Sequence, residues 1–231
     1  SNKKIDPKRV FVAGFSAGGA MVPVLLATWP DLFAAGAVNS GLPYRCATTV
    51  NDAYSCQNKG RDRAPAEWGN DVRQAFSGFT GPYPRVTIWH GTADTVVVPK
   101  NQGSTRDQWT NVHGISQTPS EQDSINGNPR ARYRKNGEIV VETVTLTGMA
   151  HGVAVDPKNG CGTAGSYILD RGVCAAQQQA DFFFARTGNP PPPNNQPPTV
   201  AFDSPAEGAQ VSGTVVVSGR ASDPDDGDLG V

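Results

Sequence analysis

A short segment near the beginning of the chain constrains its fold more than any other. Residues 14–18 read Gly-Phe-Ser-Ala-Gly, which matches the pattern G-x-S-x-G. The residues before it favour a short buried strand over 9–14, and the apolar residues after it favour a helix over 17–28. A serine between a strand and a helix, with small residues around it, is typical of a nucleophile elbow, in which the serine hydroxyl projects from the edge of a sheet.

Two roles are open to Ser16. Serine is a common N-cap residue, and a serine that precedes a helix often does no more than cap it. The combination of strand, glycines and helix instead favours a catalytic nucleophile. In that role, the backbone N–H of Ala17 at the helix N-terminus would stabilise a developing oxyanion.

The remaining regular elements predict an α/β fold. Apolar and β-branched runs predict strands over 33–39, 86–90 and 139–146, and further patterns predict helices over 99–112 and 174–185. Strands that alternate with helices favour βαβ units, and therefore a mostly parallel sheet with flanking helices.

A catalytic serine needs a base, and the chain contains three histidines. In folds built around this elbow, the chain order is serine, then acid, then histidine. His151 lies just after the last predicted strand, where a loop can reach back over the serine, so we predict it as the base. His90 ends a strand and is interpreted as a structural residue of the acid's loop. His113 ends a predicted helix, where a cation suits the helix dipole.

The acid is expected between the serine and the base in the chain. Asp94 follows the third predicted strand, at the carboxyl end where open α/β sheets build their sites. Asp107 falls within a predicted helix and Asp123 falls in a polar loop, so neither has that context. We therefore predict Ser16, Asp94 and His151 as a catalytic triad.

Four cysteines form two pairs that are local in the sequence. They are Cys46, Cys56, Cys161 and Cys174. Four cysteines allow three connectivities, of which the economical one is Cys46–Cys56 with Cys161–Cys174. A zinc site is not expected, because the chain has no C-x-x-C motif and few histidines. Disulfides imply an oxidising compartment, so we predict a secreted, extracellular protein.

The charge is nearly balanced, with 20 basic and 21 acidic residues and a formal net charge of −1. No long basic run occurs, so the sequence does not favour binding to nucleic acid or to an anionic membrane surface. No stretch approaches the ~18 consecutive apolar residues that a membrane helix needs.

The composition changes after about residue 187. A proline-rich stretch over 188–198 predicts an extended linker between a catalytic domain over 1–187 and a further module over 199–231. Strands predicted over 199–202 and 213–219 are similar to the opening of an immunoglobulin-like β-sandwich that is cut short.

An acidic turn follows these strands. Its carboxylates are Asp223, Asp225, Asp226 and Asp228. Clustered oxygen ligands suit Ca²⁺, but Asp, Pro and Gly also build solvated turns. We favour the solvated turn.

Six segments between about residues 5 and 187 carry a family resemblance. They read GFSAGGAM from residue 14, ATWPDLFAAG from 27, GLPY from 41 followed by Cys-Ala at 46, WHGTAD from 89, GMAHG from 148 and GCGTAGSYILD from 160. Together they resemble the polyhydroxybutyrate depolymerase family of esterases, which includes feruloyl and acetylxylan esterases. The resemblance implies an α/β-hydrolase fold, with Ser16 as nucleophile, Asp94 as orienting acid and His151 as general base. It also implies extracellular polyester hydrolysis without a metal or organic cofactor.

The chain departs from this family pattern before the elbow. Members of the family have several strands before the nucleophile, and one loop among them supplies a second oxyanion N–H. Only 15 residues precede Ser16 here. We therefore expect an N-terminally incomplete sheet and an internal fragment of a longer protein, without that second donor.

The sequence thus predicts a secreted serine esterase that hydrolyses a polyester such as polyhydroxybutyrate, with a surface-binding module downstream. Two alternatives stay open. A feruloyl or acetylxylan esterase would use the same triad with different pockets for the acyl and alcohol groups. An inactive hydrolase that serves in binding or adhesion would retain the fold without the activity.

Overall fold

The computed structural model describes residues 6–184, 199–204, 209–210, 216 and 218–222. These residues fall into two compact units. The large unit holds residues 6–184, and the small unit holds the described residues from 199 onward.

Within the large unit the structure describes five α-helices and eight β-strands. The helices are α1 (Ala17–Thr28), α2 (Val50–Lys59), α3 (Pro65–Ala75), α4 (Lys100–His113) and α5 (Ala175–Phe184). The strands are β1 (Phe11–Phe15), β2 (Ala35–Asn39), β3 (Arg85–Gly91), β4 (Glu121–Ile125), β5 (Asn128–Lys135), β6 (Glu138–Leu146), β7 (Val153–Val155) and β8 (Ile168–Asp170). Among the described helices, none combines the length and hydropathy that a membrane crossing requires.

Six of these strands form one sheet in the order β1-β2-β3-β6-β5-β4. The first four run parallel, and β5 and β4 extend the sheet as an antiparallel hairpin. The parallel part confirms the α/β class that the sequence predicts. Its consequence for the site is that the carboxyl ends of β1, β3 and β6 lie along one edge of the sheet.

The antiparallel hairpin corrects the sequence analysis, which placed Asp123 in a polar loop. Asp123 lies in β4 opposite Arg130 of β5, and its carboxylate accepts two hydrogen bonds from that guanidinium, at 2.7 and 2.6 Å. The turns at 126–127 and 136–137 are both Asn-Gly pairs with positive φ, the dipeptide that two-residue hairpins prefer. Charged residues pair across this ladder, so the strands lack the apolar alternation by which strands are recognised.

Helices α2 and α3 also lie where no helix was predicted. α2 is mostly polar and buries Cys56, and the Thr49 hydroxyl caps it by accepting the backbone N–H of Asp52. α3 begins at Pro65, a residue suited to the first helical turn, and buries Trp68. Each helix buries few residues, one in α2 and three in α3, so neither segment contains a long apolar run.

The central strands are buried on both faces, as expected for parallel strands covered by helices. All seven residues of β3 are buried, and neighbouring side chains alternate between two apolar clusters. Ile88 packs with residues of α1 and α4, whereas Trp89 packs with residues of β6 and the loop after it. Trp68 and Trp109 are 1% and 0% exposed, so they contribute to packing and not to a surface.

The small unit contributes a two-stranded antiparallel ladder of β9 (Thr199–Ser204) and β10 (Ser218–Ser222). β9 includes the strand predicted over 199–202. β10 overlaps the strand predicted over 213–219 only at its first two residues, and most of the rest of that prediction lies outside the described residues. The linker predicted over 188–198 and the acidic turn near residue 225 also lie outside them.

Candidate active site

Three polar side chains follow three parallel strands at the same edge of the sheet. Ser16 comes directly after β1, Asp94 lies in the loop after β3, and His151 lies in the loop after β6. Because parallel strands point the same way, their carboxyl ends bring these loops together. The three residues predicted from the sequence are therefore neighbours in space, although 135 positions separate Ser16 from His151.

Ser16 sits on a strained turn between β1 and α1. Its backbone has φ 56° and ψ −119°, and a positive φ is uncommon for residues other than glycine. A Cβ at Gly14 would lie 2.2 Å from the carbonyl oxygen of Gly18. A Cβ at Gly19 would lie 2.6 Å from the carbonyl oxygen of Asn39. Ser16 occupies the N-cap position, but its side chain makes no capping hydrogen bond to the helix.

A continuous hydrogen-bond path links the three side chains. Oγ of Ser16 lies 2.9 Å from Nε2 of His151, and Nδ1 of His151 lies 2.8 Å from Oδ2 of Asp94. An ionised carboxylate only accepts hydrogen bonds, so Nδ1 carries the proton and Nε2 is left to accept the serine hydroxyl. This is the tautomer and orientation that a general base for Ser16 requires.

The orientation of Asp94 is fixed by its own loop. Its Oδ1 accepts the backbone N–H groups of Val96 and Val97, both at 2.9 Å. The side chain is 0% exposed, against 7% for that of His151. The two N–H groups set the rotation of the carboxylate, so that Oδ2 faces the imidazole.

A second histidine lies against the same acid. Nε2 of His90 is 2.7 Å from the carbonyl oxygen of Val97 and 3.5 Å from Oδ2 of Asp94. A carbonyl only accepts, so this nitrogen carries a proton and ties the end of β3 to the acid's loop. Burial lowers the pKa of His90 below its ordinary value, which favours the neutral ring. These contacts agree with the interpretation of His90 as a structural residue of that loop.

The buried His90 predicts a loss of stability toward acid. Below about pH 6.5, the unfolded chain binds a proton at this histidine more readily than the folded protein does, so unfolding becomes more favourable as the pH falls. The His90→Gln variant retains a donor for the Val97 carbonyl but cannot titrate. In calorimetry, its melting temperature should fall less than that of the parent between about pH 7 and about pH 5.5. Equal slopes would contradict this role of His90.

A pair of buried amides braces the elbow and was not predicted. Nδ2 of Asn39 donates to the carbonyl oxygen of Gly14 at 3.2 Å, and Oδ1 of Asn39 accepts from Nε2 of Gln179 at 2.7 Å. The carbonyl oxygen of Asn39 also accepts the N–H of Ser16, at 3.0 Å. Since 140 positions separate Asn39 from Gln179, no local pattern connects them. A polar residue at the end of an otherwise apolar strand was the available signal.

Two aromatic rings flank the imidazole of His151. The ring of Phe15 packs against it with centroids 4.7 Å apart, and the ring of Tyr167 meets it edge-on at 6.0 Å. Tyr167 is 57% exposed and has φ 62°, a left-handed conformation that costs roughly 1–2 kcal/mol for a residue with a Cβ. Neither ring was predicted, because Phe15 occupies the variable position of the serine motif and Tyr167 lies in a segment without regular periodicity.

The other titratable candidates lie away from this edge. Asp107 lies in α4, as expected, and pairs with the neighbouring Arg106. His113 ends the same helix, but it is buried, and its Nε2 lies 3.1 Å from the carbonyl oxygen of Pro84. This contact joins α4 to the segment before β3.

Two disulfides are present, Cys46–Cys56 and Cys161–Cys174, in the pairing that the sequence favours. The first joins the loop after β2 to α2, and the second closes the segment that carries Tyr167. Within the described residues, no group of three or more His, Cys, Asp or Glu side chains is arranged to hold a metal ion.

The class of protein follows from the fold and the site together. A serine elbow between a parallel strand and a helix, with an acid and a histidine in loops after later strands, defines an α/β-hydrolase. The hydrogen-bond path from serine to acid is the arrangement found in hydrolases that use a serine nucleophile.

Comparisons with known proteins agree with this class. A profile of the Prolyl oligopeptidase family matches residues 1–110. Poly(3-hydroxyalkanoate) depolymerase C of Paucimonas lemoignei is 49% identical over 180 residues, which are 76% of this chain and 44% of that protein. An acetylxylan esterase of Coprinopsis cinerea is 42% identical over 157 residues, which are 66% of this chain and 41% of that protein. The crystal structure of PHB depolymerase from Penicillium funiculosum shares the fold, with a TM-score of 0.60 and 22% identity over 86% of this chain and 57% of that one.

The chain is thus an α/β-hydrolase by its fold and site, and it is similar in sequence to a poly(3-hydroxyalkanoate) depolymerase and to acetylxylan and feruloyl esterases. It spans less than half the length of the curated relatives named above, 44% and 41%.

Proposed function

We propose that this chain carries the catalytic centre of a serine esterase, with Ser16 as nucleophile, His151 as general base and Asp94 as the acid that orients it. The observation that supports this proposal most directly is the hydrogen-bond path of 2.9 and 2.8 Å that joins the three side chains. The strained elbow adds support, because it presents Oγ to solvent and to a substrate instead of turning it onto the helix.

The proposed mechanism is acyl transfer through a covalent intermediate. His151 takes the hydroxyl proton as Oγ of Ser16 attacks the ester carbonyl carbon. The carbonyl oxygen becomes an oxyanion that the backbone N–H of Ala17 stabilises, since the first residue of a helix has no intrahelical acceptor for its N–H. His151 then gives the proton to the leaving alcohol, and an acyl-enzyme remains. Water, deprotonated by His151, attacks this ester and releases the acid.

The mechanism requires the loop that carries Asp94 and the loop that carries His151 to keep their relative positions. The two loops are in close contact at Gly91. A Cβ at Gly91 would lie 2.1 Å from the carbonyl oxygen of Met149. Gly91→Ala should therefore destabilise the protein by about 1–3 kcal/mol and lower kcat by about 10²-fold, because the base and its acid separate.

Gly103→Ala in α4 is the matched control for this change. The nearest atom to a Cβ at Gly103 is 4.0 Å away, and alanine favours a helix by about 1 kcal/mol over glycine. Thermal unfolding and initial rates with p-nitrophenyl butyrate should show loss in Gly91→Ala only. Equal behaviour of the two variants would contradict the role assigned to the close contact at Gly91.

The proposed substrate is a polyester of hydroxyalkanoic acids, such as polyhydroxybutyrate. This choice rests on the relative named poly(3-hydroxyalkanoate) depolymerase C, at 49% identity. We also propose secretion, since the two disulfides suit an oxidising compartment. A catalytic domain over 1–187, a linker over 188–198 and a surface-binding module from 199 would let the enzyme stay close to a solid polymer.

A second candidate is an esterase of plant cell-wall polysaccharide. It is favoured by the relative named acetylxylan esterase, at 42% identity, and by one named feruloyl esterase B, at 34%. These proteins would share the triad and differ in the surfaces that contact the acyl and alcohol groups. A non-catalytic binding protein is the third candidate, and an activated serine would argue against it.

The experiment that separates these candidates supplies the chain with amorphous polyhydroxybutyrate, acetylated xylan and a feruloylated arabinoxylan in parallel, with Ser16→Ala as control. Clearing of the polyester that is lost in Ser16→Ala is the expected result. Release of acetate or ferulate without clearing would favour the polysaccharide esterase. No release from any polymer, together with no turnover of p-nitrophenyl butyrate, would favour the binding protein and contradict the proposal.

A further inference from the structure

The turn that carries Tyr167 combines backbone strain with exposure beside the proposed base. Gly165 and Ile168 exchange backbone hydrogen bonds of 2.8 and 3.1 Å, so Ser166 and Tyr167 are the central residues of a tight turn. Of these two, only Tyr167 has a positive φ, of 62°. That is the pattern of a type II turn, in which glycine is preferred at this position. Backbone strain of this kind clusters at active sites and ligand clamps.

The surrounding structure holds the turn against the backbone that carries His151. The carbonyl oxygen of Tyr167 accepts the N–H of Val153 at 2.8 Å. A Cβ at Gly152 would lie 2.8 Å from the same carbonyl oxygen. The disulfide Cys161–Cys174 links the chain before the turn to the chain after it. The strained conformation is therefore imposed from several directions.

Other groups, and not the ring of Tyr167, hold the imidazole of His151. The imidazole is bonded to Asp94 at 2.8 Å and packed against Phe15 at 4.7 Å, whereas the tyrosine ring meets it edge-on at 6.0 Å. Tyr167 is 57% exposed, so much of its ring surface is free to contact a ligand. The ring of Tyr167 therefore lies exposed beside the proposed base and is available to contact a ligand.

We propose that Tyr167 is a specificity-determining residue that contacts the alcohol side of the scissile ester. The inference rests on the proposed esterase function. In triad chemistry the base gives its proton to the leaving alcohol, so the alcohol oxygen must come within hydrogen-bond reach of Nε2 of His151. The carbon chain attached to that oxygen then passes the ring beside the imidazole. For a polyester, this chain is the next hydroxyalkanoate unit, whose methyl and methylene groups pack on the aromatic face.

Two esters with one acyl group and different alcohols test this contact. Ethyl (R)-3-hydroxybutyrate releases ethanol, whereas the linear dimer of (R)-3-hydroxybutyrate releases a second hydroxyacid from the same acyl group. Tyr167→Gly removes the ring and suits the positive φ. Tyr167→Asn is a second variant without the ring that tolerates this backbone, and Tyr167→Phe keeps the ring.

We expect kcat/KM for the dimer to fall about tenfold in Tyr167→Gly and Tyr167→Asn, an effect of the size expected for a lost aromatic contact. For the ethyl ester it should stay within about twofold, and Tyr167→Phe should resemble the parent on both esters. The melting temperature of Tyr167→Gly should not fall, because glycine relieves the strain. Equal losses on both esters would show that the ring only supports His151. No loss on either ester would show that Tyr167 is only a turn residue. Either result overturns the proposal. If the parent hydrolyses neither ester, the esterase function itself fails, and this inference fails with it.

Discussion

Replacing Ser16 with alanine should lower the rate of p-nitrophenyl butyrate hydrolysis by about 10⁴-fold or more. Oγ is the atom that attacks the carbonyl carbon in the proposed mechanism, and neither His151 nor Asp94 can substitute for it. The fold should be unaffected, because Oγ bonds to His151 at 2.9 Å and makes no capping hydrogen bond to α1. Initial rates together with thermal unfolding measure both expectations.

Ser40→Ala is the matched control for this variant. Ser40 also follows a strand, has φ 46° and is 1% exposed, but its hydroxyl has no hydrogen-bond partner. Its loss should leave the rate within about twofold, since removing an unpaired buried hydroxyl costs little. A Ser16→Ala variant that keeps more than a few per cent of the parent rate would contradict the assignment of the nucleophile.

The Asp94→Asn variant should lower kcat by about 10⁴-fold near neutral pH, with little change in KM. The asparagine oxygen can still accept the N–H groups of Val96 and Val97, as Oδ1 of Asp94 does at 2.9 Å. Its NH₂ group then faces His151 and donates to Nδ1, which moves the ring proton to Nε2. Nε2 can no longer accept the proton of Ser16, so the base is lost although the geometry is kept.

Asp107→Asn is the control for a carboxylate-to-amide change. Asp107 pairs with Arg106 on α4, away from the edge of the sheet where the three side chains meet. The variant should keep kcat within about twofold, because exposed or partly exposed ion pairs contribute at most about 1 kcal/mol. Similar losses of kcat in Asp94→Asn and Asp107→Asn would show that Asp94 acts through overall stability and not through the tautomer of His151.

The positions of the three proposed triad members could be predicted because topology constrains them. A serine between a strand and a helix fixes the edge of the sheet, and each following parallel strand must end at that edge. With three histidines in the chain, the order serine, acid, base left Asp94 and His151 as the pair that follows strand ends. The same constraint says nothing about the residues that support them.

The supporting residues escaped prediction for two physical reasons. Asn39 and Gln179 lie 140 positions apart, and a buried amide pair leaves no periodic signal in either segment. Tyr167 adopts a positive φ that its residue type disfavours, so turn preferences point away from the structure that forms.

The β4–β5 hairpin is the opposite case, because the turns on either side of β5 carry a local sequence signal. Asn-Gly pairs at 126–127 and 136–137 mark the turns before and after β5. Between them, Arg130 and Arg132 pair across the ladder with Asp123 and Glu121. Ion pairs take the place of alternating apolar residues in these strands. The Asn-Gly turns therefore predict the strands better than the hydrophobic pattern does.

The central claim is that Ser16 is an activated nucleophile, and covalent labelling tests it most directly. A fluorophosphonate reacts with a serine that an adjacent base activates and not with an ordinary hydroxyl. Intact-protein and peptide mass spectrometry should find one adduct per chain, on Ser16, absent in Ser16→Ala and formed far more slowly in Asp94→Asn. An unlabelled chain, or an adduct on another residue, would contradict the account.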